Sequence, residues 1–148
     1  MKKQDWLLIY LLSSPSQSPL MDPIRIMKGL FLFKMELGDK LKEFYDFEPY
    51  LYGPCSFEIY DDLSKLQLDN FVDEISHPFS RWSYYRLSER GREVSEKLKN
   101  AANADLVLKL MDIKRRVMSL PFLSLLREIY KKYPEYARIS VINFKDHL

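Results

Sequence analysis

The sequence is poor in the residues that build disulfide frameworks and metal centres. Its 148 residues include one cysteine, Cys55, and two histidines, His77 and His147. A lone thiol excludes an internal disulfide framework and a thiolate metal cluster, and it is typical of a reducing compartment. The two histidines are 70 residues apart, so the chain lacks the close spacing of an H-E-x-x-H metal site. We therefore expect no metal, no cofactor and a cytoplasmic location.

Glycine is also scarce, which bears on catalysis. The chain has four glycines, and the patterns G-x-x-x-x-G-K-[ST], G-x-G-x-x-G and G-x-S-x-G do not occur in it. These patterns supply phosphate cradles and nucleophile elbows. Because the sequence shows no other catalytic constellation, we expect that the protein is not an enzyme.

Long apolar runs are missing as well. The N-terminal run 6–12 has seven apolar residues, whereas a membrane span needs about 20. Two lysines precede this run, as in a secretory signal, but Asp5 separates them from it and residues 13–16 offer no clear cleavage site. The run therefore predicts a buried first helix, and we expect no membrane partner.

Apolar residues and an uneven distribution of charge are what the chain does have. Hydrophobic residues make up 47% of it and aromatic residues 14%, enough for a real core. The net charge is +2, but residues 1–80 have a net charge of −5 and residues 81–148 have +7. The near-neutral total therefore conceals a basic second half, in which a nucleic-acid contact is possible.

Capping residues and prolines divide the chain into short elements. Asp22 precedes Pro23 and an apolar stripe at helical spacing, and Gly38 stands just past its end, so this stretch predicts a second helix. The aromatic segment 43–52 is extended, and we expect the Gly53-Pro54 pair after it to break any regular element.

More helices and one hairpin follow. Ser56 caps a helix with apolar residues at i, i+4 and i+7, and the strand-like runs 71–75 and 82–87 predict a β-hairpin. Three further helices begin at Ser88, Asn103 and Pro121. Three helices followed by a hairpin form the winged helix-turn-helix plan, in which the hairpin is the wing. We expect a mainly α fold of this type, with a winged domain at 1–88 and appended helices at 89–148.

Several short stretches of the sequence resemble known proteins. The stretches are DPIRIMKGLFLF (22–33), YLYGPCSFEIYDDL (50–63), YRLSERG (85–91) and LLREIYKKYPEY (125–136). Together they resemble the prokaryotic YwgA-like winged-helix family, over roughly residues 3–137. The Y-G-P-x-S turn is also similar to one in Panacea-domain proteins, some of which are antitoxins. The resemblance implies a winged-helix fold, while most members of the YwgA-like family are uncharacterised.

The third helix is the element that would enter the DNA major groove, and its charge is unfavourable for that role. Residues 56–69 have a net charge of −3, and only Ser64, Lys65 and Gln67 suit contacts with bases or phosphates. The second and third helices are also separated by residues 38–55, 18 residues, whereas the usual turn has about 3 to 4. These are two departures from a compact DNA-reading domain.

The wing and the helix after it offer better candidates for DNA contact. Arginines at such positions commonly reach the minor groove or the phosphate backbone. The candidates are Arg81, Arg86, Arg90 and Arg92. They predict a winged-helix regulator that binds double-stranded DNA mainly through its wing. The alternative is that these arginines pair with acidic side chains nearby and contact no DNA.

A second function is compatible with the same fold. The acidic third helix and the Tyr50–Pro54 segment would engage a basic protein partner, such as a toxin or a defence-system component, without DNA binding. The residues expected to contact this partner are Tyr50, Tyr52, Glu58, Asp61 and Asp62.

The helices after the wing have long apolar stripes that a small winged domain cannot fully cover. Such appended helices often pair across a two-fold axis, which predicts a homodimer. The interface residues expected are Val107, Leu110, Met111, Val117, Leu126, Ile129 and Tyr130. The alternative is that the stripes fold back onto the chain's own first two helices.

Overall fold

The computed structural model describes residues 1–144, which form a mainly helical fold with two small antiparallel sheets. The helices are α1 (Lys3–Leu11), α2 (Pro23–Leu37), α3 (Phe57–Leu68), α4 (Glu89–Ala101), α5 (Ala104–Ser119) and α6 (Phe122–Lys132). The strands are β1 (Glu48–Tyr50), β2 (Gly53–Cys55), β3 (Val72–Ile75) and β4 (Tyr84–Leu87). Short 3₁₀ turns follow α2 and α6.

Helix α1 lies in the interior, as the apolar N-terminal run predicts. Its side chains from Trp6 to Leu11 are all buried, because α2, α4 and α5 pack around it. An α-helix that is apolar on every side must be covered on every side. Within residues 1–144, every helix is too short or too polar to cross a membrane.

Helix α2 begins and ends where its capping residues predict. The Asp22 carboxylate accepts a hydrogen bond of 2.8 Å from the Arg25 backbone N–H, Pro23 occupies the first turn, and Gly38 is the C-cap. The Arg25 guanidinium also donates to the Leu120 carbonyl at 2.7 Å. The start of α2 is therefore attached to the junction between α5 and α6.

The expected break at Gly53-Pro54 is wrong, since these residues form strand β2. Strand β2 pairs with β1, with Glu48 opposite Cys55 and Tyr50 opposite Gly53. Gly53 has φ +89°, a left-handed conformation that a glycine adopts without strain and that closes this tight turn. Pro54 is tolerated because both strands of a two-stranded sheet are edges, where a missing N–H costs little.

The second hairpin confirms the strand pair expected after α3, with slightly shorter strands. Val72 lies opposite Leu87, and Ile75 lies opposite Tyr84. Met21 joins this hairpin through two backbone hydrogen bonds of 2.8 Å with Tyr85. The loop before α2 is therefore fastened to strand β4.

Within residues 1–144, a single hydrophobic core includes residues from both 1–88 and 89–144. Helix α5 packs mainly on α2, and α6 packs on β2. The side chains predicted to form a dimer interface therefore lie inside the monomer: Val107, Leu110, Val117, Leu126, Ile129 and Tyr130 are buried, and Met111 is half-buried against the core. Their assignment to an interface is wrong, because side chains already removed from water gain nothing from a second copy. The alternative, in which the stripes fold back, describes the structure, and a homodimer stays a prediction without an assigned surface.

Candidate functional site

Helix α3 is amphipathic, and its outer side presents two of the residues predicted to contact DNA. Ile59, Leu63 and Leu66 are buried on its inner side. Ser64 and Lys65 are exposed on the outer side. The third candidate, Gln67, is half-buried and donates a hydrogen bond of 3.2 Å to Glu74 on strand β3. The structure therefore separates Gln67 from the other two by engaging it with the hairpin.

Two of the acidic side chains of α3 are engaged within the chain. Asp62 is buried and accepts a hydrogen bond of 2.7 Å from the Tyr45 hydroxyl. Glu58 forms an ion pair with Lys3, whereas Asp61 is exposed. The prediction that Asp62 contacts a protein partner is wrong, because its carboxylate is enclosed in the core. These contacts also reduce the unpaired negative charge that α3 presents to solvent.

The four candidate arginines are exposed, and they are distributed over the loop before β4, strand β4 itself and the start of α4. Arg81 lies in the loop before β4, and Arg86 on β4 has its Nε 3.7 Å from Asp73 across the hairpin. Arg90, at the start of α4, has its guanidinium 4.7 Å from the centre of the Phe71 ring. Arg92 lies along a different side of α4 and borders a cavity with the 13–19 loop.

Three of these four arginines form no ion pair with a carboxylate among residues 1–144. Within residues 1–144, Arg86 alone among the four has a carboxylate oxygen within 4 Å, and that contact is exposed and long. Exposed pairs of this kind contribute roughly 0 to 1 kcal/mol and are easily exchanged for another anion. The guanidinium groups of Arg81, Arg86 and Arg90 around the second hairpin are therefore available to phosphate oxygens.

The tip of the second hairpin presents an apolar side chain that the sequence interpretation missed. Phe79 is 93% exposed, and the His77 ring accepts a hydrogen bond of 3.2 Å from the Phe79 backbone N–H. The ring is therefore accessible to another molecule at the loop tip. The sequence feature that could have indicated this exposure is a phenylalanine next to Pro78 in a short, otherwise polar loop.

A cavity of about 240 Å³ lies between the first hairpin and the starts of α2 and α3. Its walls include five aromatic side chains: Tyr50, Tyr52, Phe57, Tyr60 and Trp82. The Tyr50 ring meets Phe57 edge-on at 5.1 Å, and the Tyr52 ring meets Trp82 at 6.2 Å. Tyr50 is exposed and Tyr52 half-buried, so both residues predicted to contact a partner lie in the rim of this cavity.

One buried lysine also lines the cavity. The Lys28 ammonium donates a hydrogen bond of 3.0 Å to the Pro54 carbonyl, and burial lowers the pKa of Lys28 to about 8. Cys55 lies in the same wall, and burial raises the pKa of its thiol, which makes it a poor nucleophile. Sequence reasoning missed Lys28, although a charged residue between Met27 and Gly29 in an apolar helix was a visible signal.

No known protein family matches the chain, and no curated protein matches it. Among residues 1–144, no three histidine, cysteine, aspartate or glutamate side chains are grouped so that they could hold a metal ion.

Proposed function

We propose that this chain is a winged-helix DNA-binding protein, a prokaryotic transcriptional regulator that contacts DNA mainly through its second hairpin. The order α1, α2, α3 and hairpin β3–β4 supports this proposal, because it is consistent with a winged helix-turn-helix layout in which the hairpin β1–β2 is inserted between α2 and α3. The Met21 to Tyr85 bridge adds a third extended segment to the hairpin, which makes it a rigid support for its loop.

The observation that supports DNA contact best is that, among residues 1–144, Arg81 and Arg90 have no carboxylate oxygen within 4 Å, while two carboxylates of α3 are engaged within the chain. Arg81, Arg86 and Arg90 present guanidinium groups to solvent around the hairpin. On α3, Asp62 is buried and Glu58 is paired, so Lys65 and Ser64 face a less negative surface than the sequence alone suggests. Phosphate binding by such groups requires no base-specific geometry, which fits a contact made mainly with the backbone.

The exposed ring of Phe79 fits the same proposal. Proteins that bind the minor groove frequently insert an apolar side chain between base steps. Phe79 stands at the tip of the hairpin, two residues before Arg81. An arginine that contacts the backbone would bring this ring to the edge of the groove.

The test is duplex binding measured by fluorescence anisotropy at about 50 mM and about 200 mM salt. We expect the wild type to bind more weakly at the higher salt, and the Arg81→Ala/Arg86→Ala variant to lose about tenfold in affinity with a salt slope reduced by about 1 per lost phosphate contact. The matched control is Lys109→Ala/Arg115→Ala, which removes the same charge from an exposed side of α5. Absence of salt-dependent binding, or equal losses in both variants, contradicts the proposal.

A second function is favoured by the apolar surface at the first hairpin, where Tyr50, Leu51 and Phe57 are exposed together. In this case the chain is a protein-interaction module, and Glu58 and Asp61 attract a basic partner. Co-purification with a basic protein that is lost in Glu58→Lys/Asp61→Lys, and retained in Arg81→Ala/Arg86→Ala, favours this function over DNA binding. Asp62 is left unchanged in this test because its substitution damages the core.

A further inference from the structure

We propose that the cavity between the first hairpin, α2 and α3 binds a small aromatic carboxylate, with Lys28 as the partner of the carboxylate group. This inference does not depend on DNA binding, since it concerns a different surface and a different ligand.

The size and walls of the cavity select the apolar part of the ligand. A volume of about 240 Å³ is below the range of roughly 300 to 1,000 Å³ typical of drug-sized ligands, which favours a molecule with one ring over a nucleotide or a larger cofactor. Five aromatic side chains line it, and edge-on packing against an aromatic ligand is favourable for rings in this arrangement. A single aromatic ring is therefore the best match to the walls.

The position of Lys28 selects the charged part of the ligand. A lysine ammonium has three N–H donors, and the Pro54 carbonyl accepts from one of them. No carboxylate oxygen among residues 1–144 lies within 4 Å of the Lys28 ammonium. Asp22 adds only a longer-range attraction, and its carboxylate is paired with Arg25. A buried cation without a counter-ion is costly, so a carboxylate entering the cavity relieves that cost.

A second buried lysine shows what such a residue does when its role is structural. Lys114 on α5 donates to the Leu12 carbonyl at the end of α1, and its ammonium lies 5.8 Å from the centre of the Tyr10 ring. Burial lowers the pKa of Lys114 to about 8, as it does for Lys28. Both lysines are buried and donate to a backbone carbonyl, but Lys114 does not line the cavity, which makes Lys114 a matched control.

The test uses the full chain at pH 7 and compares benzoate with benzyl alcohol, its neutral counterpart of similar shape. Binding is followed by the indole N–H resonance of Trp82 and by amide chemical shifts around the first hairpin. We expect benzoate to bind about tenfold more tightly than benzyl alcohol, Lys28→Met to abolish this preference, and Lys114→Met to retain it. Equal affinities in the wild type, shifts away from Trp82, or equal losses in both variants overturn the proposal.

A second measurement does not rely on either variant being stable. Cys55 is the single cysteine of the chain and lines the cavity, so alkylation by iodoacetamide reports on access to this wall. We expect benzoate to slow alkylation of the folded wild type with the same half-saturation as in the titration. Unchanged alkylation at saturating benzoate contradicts the proposal. Salt-dependent duplex binding is measured separately on the same sample, and its outcome bears on the proposed DNA binding and not on the cavity.

Discussion

Tyr45 donates a hydrogen bond of 2.7 Å to Asp62, and both side chains are buried. This contact joins the long connection between α2 and α3 to the centre of α3. Burial and the adjacent Asp62 carboxylate both raise the pKa of Tyr45, so the hydroxyl stays protonated as the donor. The 18-residue connection from Gly38 to Cys55 is therefore attached to α3 at Tyr45.

We expect Tyr45→Phe to lower the free energy of unfolding by about 1.5 to 3 kcal/mol, because it removes a hydrogen bond to a buried charged group. Urea denaturation measures this change. The matched control is Tyr50→Phe, which removes a hydroxyl from an exposed ring and should change the free energy by less than about 0.5 kcal/mol. Equal effects of the two substitutions contradict this account of Tyr45.

The burial of Leu110 in the monomer predicts a loss of stability that does not depend on protein concentration. Leu110 is 0% exposed, while Leu108 on the same helix is 64% exposed. Leu110→Ala should cost about 2 to 5 kcal/mol through lost burial and the cavity left behind, and Leu108→Ala should cost less than about 0.5 kcal/mol. Thermal unfolding at several protein concentrations measures both. A loss for Leu110→Ala that disappears at high concentration would instead indicate a subunit interface.

Alanine substitutions at two glycines should change the stability of the fold in opposite directions. A Cβ atom at Gly91 would lie 1.9 Å from the Phe71 carbonyl oxygen, where α4 crosses the backbone before β3. Gly91→Ala should destabilise the fold by about 1 to 3 kcal/mol or more, since the obstacle is backbone. At Gly38, φ is −59° and the nearest atom to such a Cβ is 3.4 Å away. Gly38→Ala should therefore stabilise by about 0.4 to 1 kcal/mol. Chemical denaturation distinguishes the two signs.

Lys28 and Lys114 predict that stability rises with pH in the alkaline range. Burial lowers both pKa values from 10.5 to about 8, so between these limits the unfolded chain holds protons that the folded chain has released. Stability then increases from about pH 8 towards pH 10, by up to about 1.4 kcal/mol per pH unit for each lysine. The raised pKa of the Cys55 thiol opposes this trend above its usual value of 9.0, and above pH 10 the raised pKa of Tyr10 opposes it as well, because burial keeps both groups protonated in the folded chain.

Urea titrations at pH 7, 8, 9 and about 9.5 check this prediction. Lys114→Met should flatten the rise, since it removes one of the two groups that release a proton on folding. A decrease in stability across this range in the wild type would show that the two ammonium groups are not desolvated as the structure indicates.

Local hydrogen bonding explains which elements could be predicted from the sequence. The Asp22, Ser88 and Asn103 side chains each accept from a backbone N–H three residues later, and each begins a helix where predicted. Strand β2 was missed because its pairing depends on the left-handed backbone of Gly53, which a Gly-Pro sequence does not reveal. The stripes of α5 and α6 were assigned to the wrong partner, because an apolar stripe looks the same whether it packs on its own chain or on another.

The features of the candidate site also differ in whether the sequence could indicate them. The exposure of Arg81, Arg86 and Arg90 follows from their local positions around a hairpin, so the sequence could indicate it, while their contact with DNA stays a prediction. The cavity around Lys28 was not predictable, since it exists only once β1 pairs with β2 and Pro54 comes within reach of the Lys28 ammonium. Burial of Asp62 likewise depends on Tyr45, 17 residues earlier in the chain.

The hydrogen bond from Lys114 to the Leu12 carbonyl links residues 102 positions apart. At a synthesis rate of about 5 to 20 residues per second, the ribosome delivers Lys114 about 5 to 20 seconds after Leu12. Until then the end of α1 lacks its lysine, and the apolar side chains from Trp6 to Leu11 lack the cover of α5. Helix α1 is thus completed only after the residues of α5 have been synthesised, although it precedes them by about 100 positions in the chain.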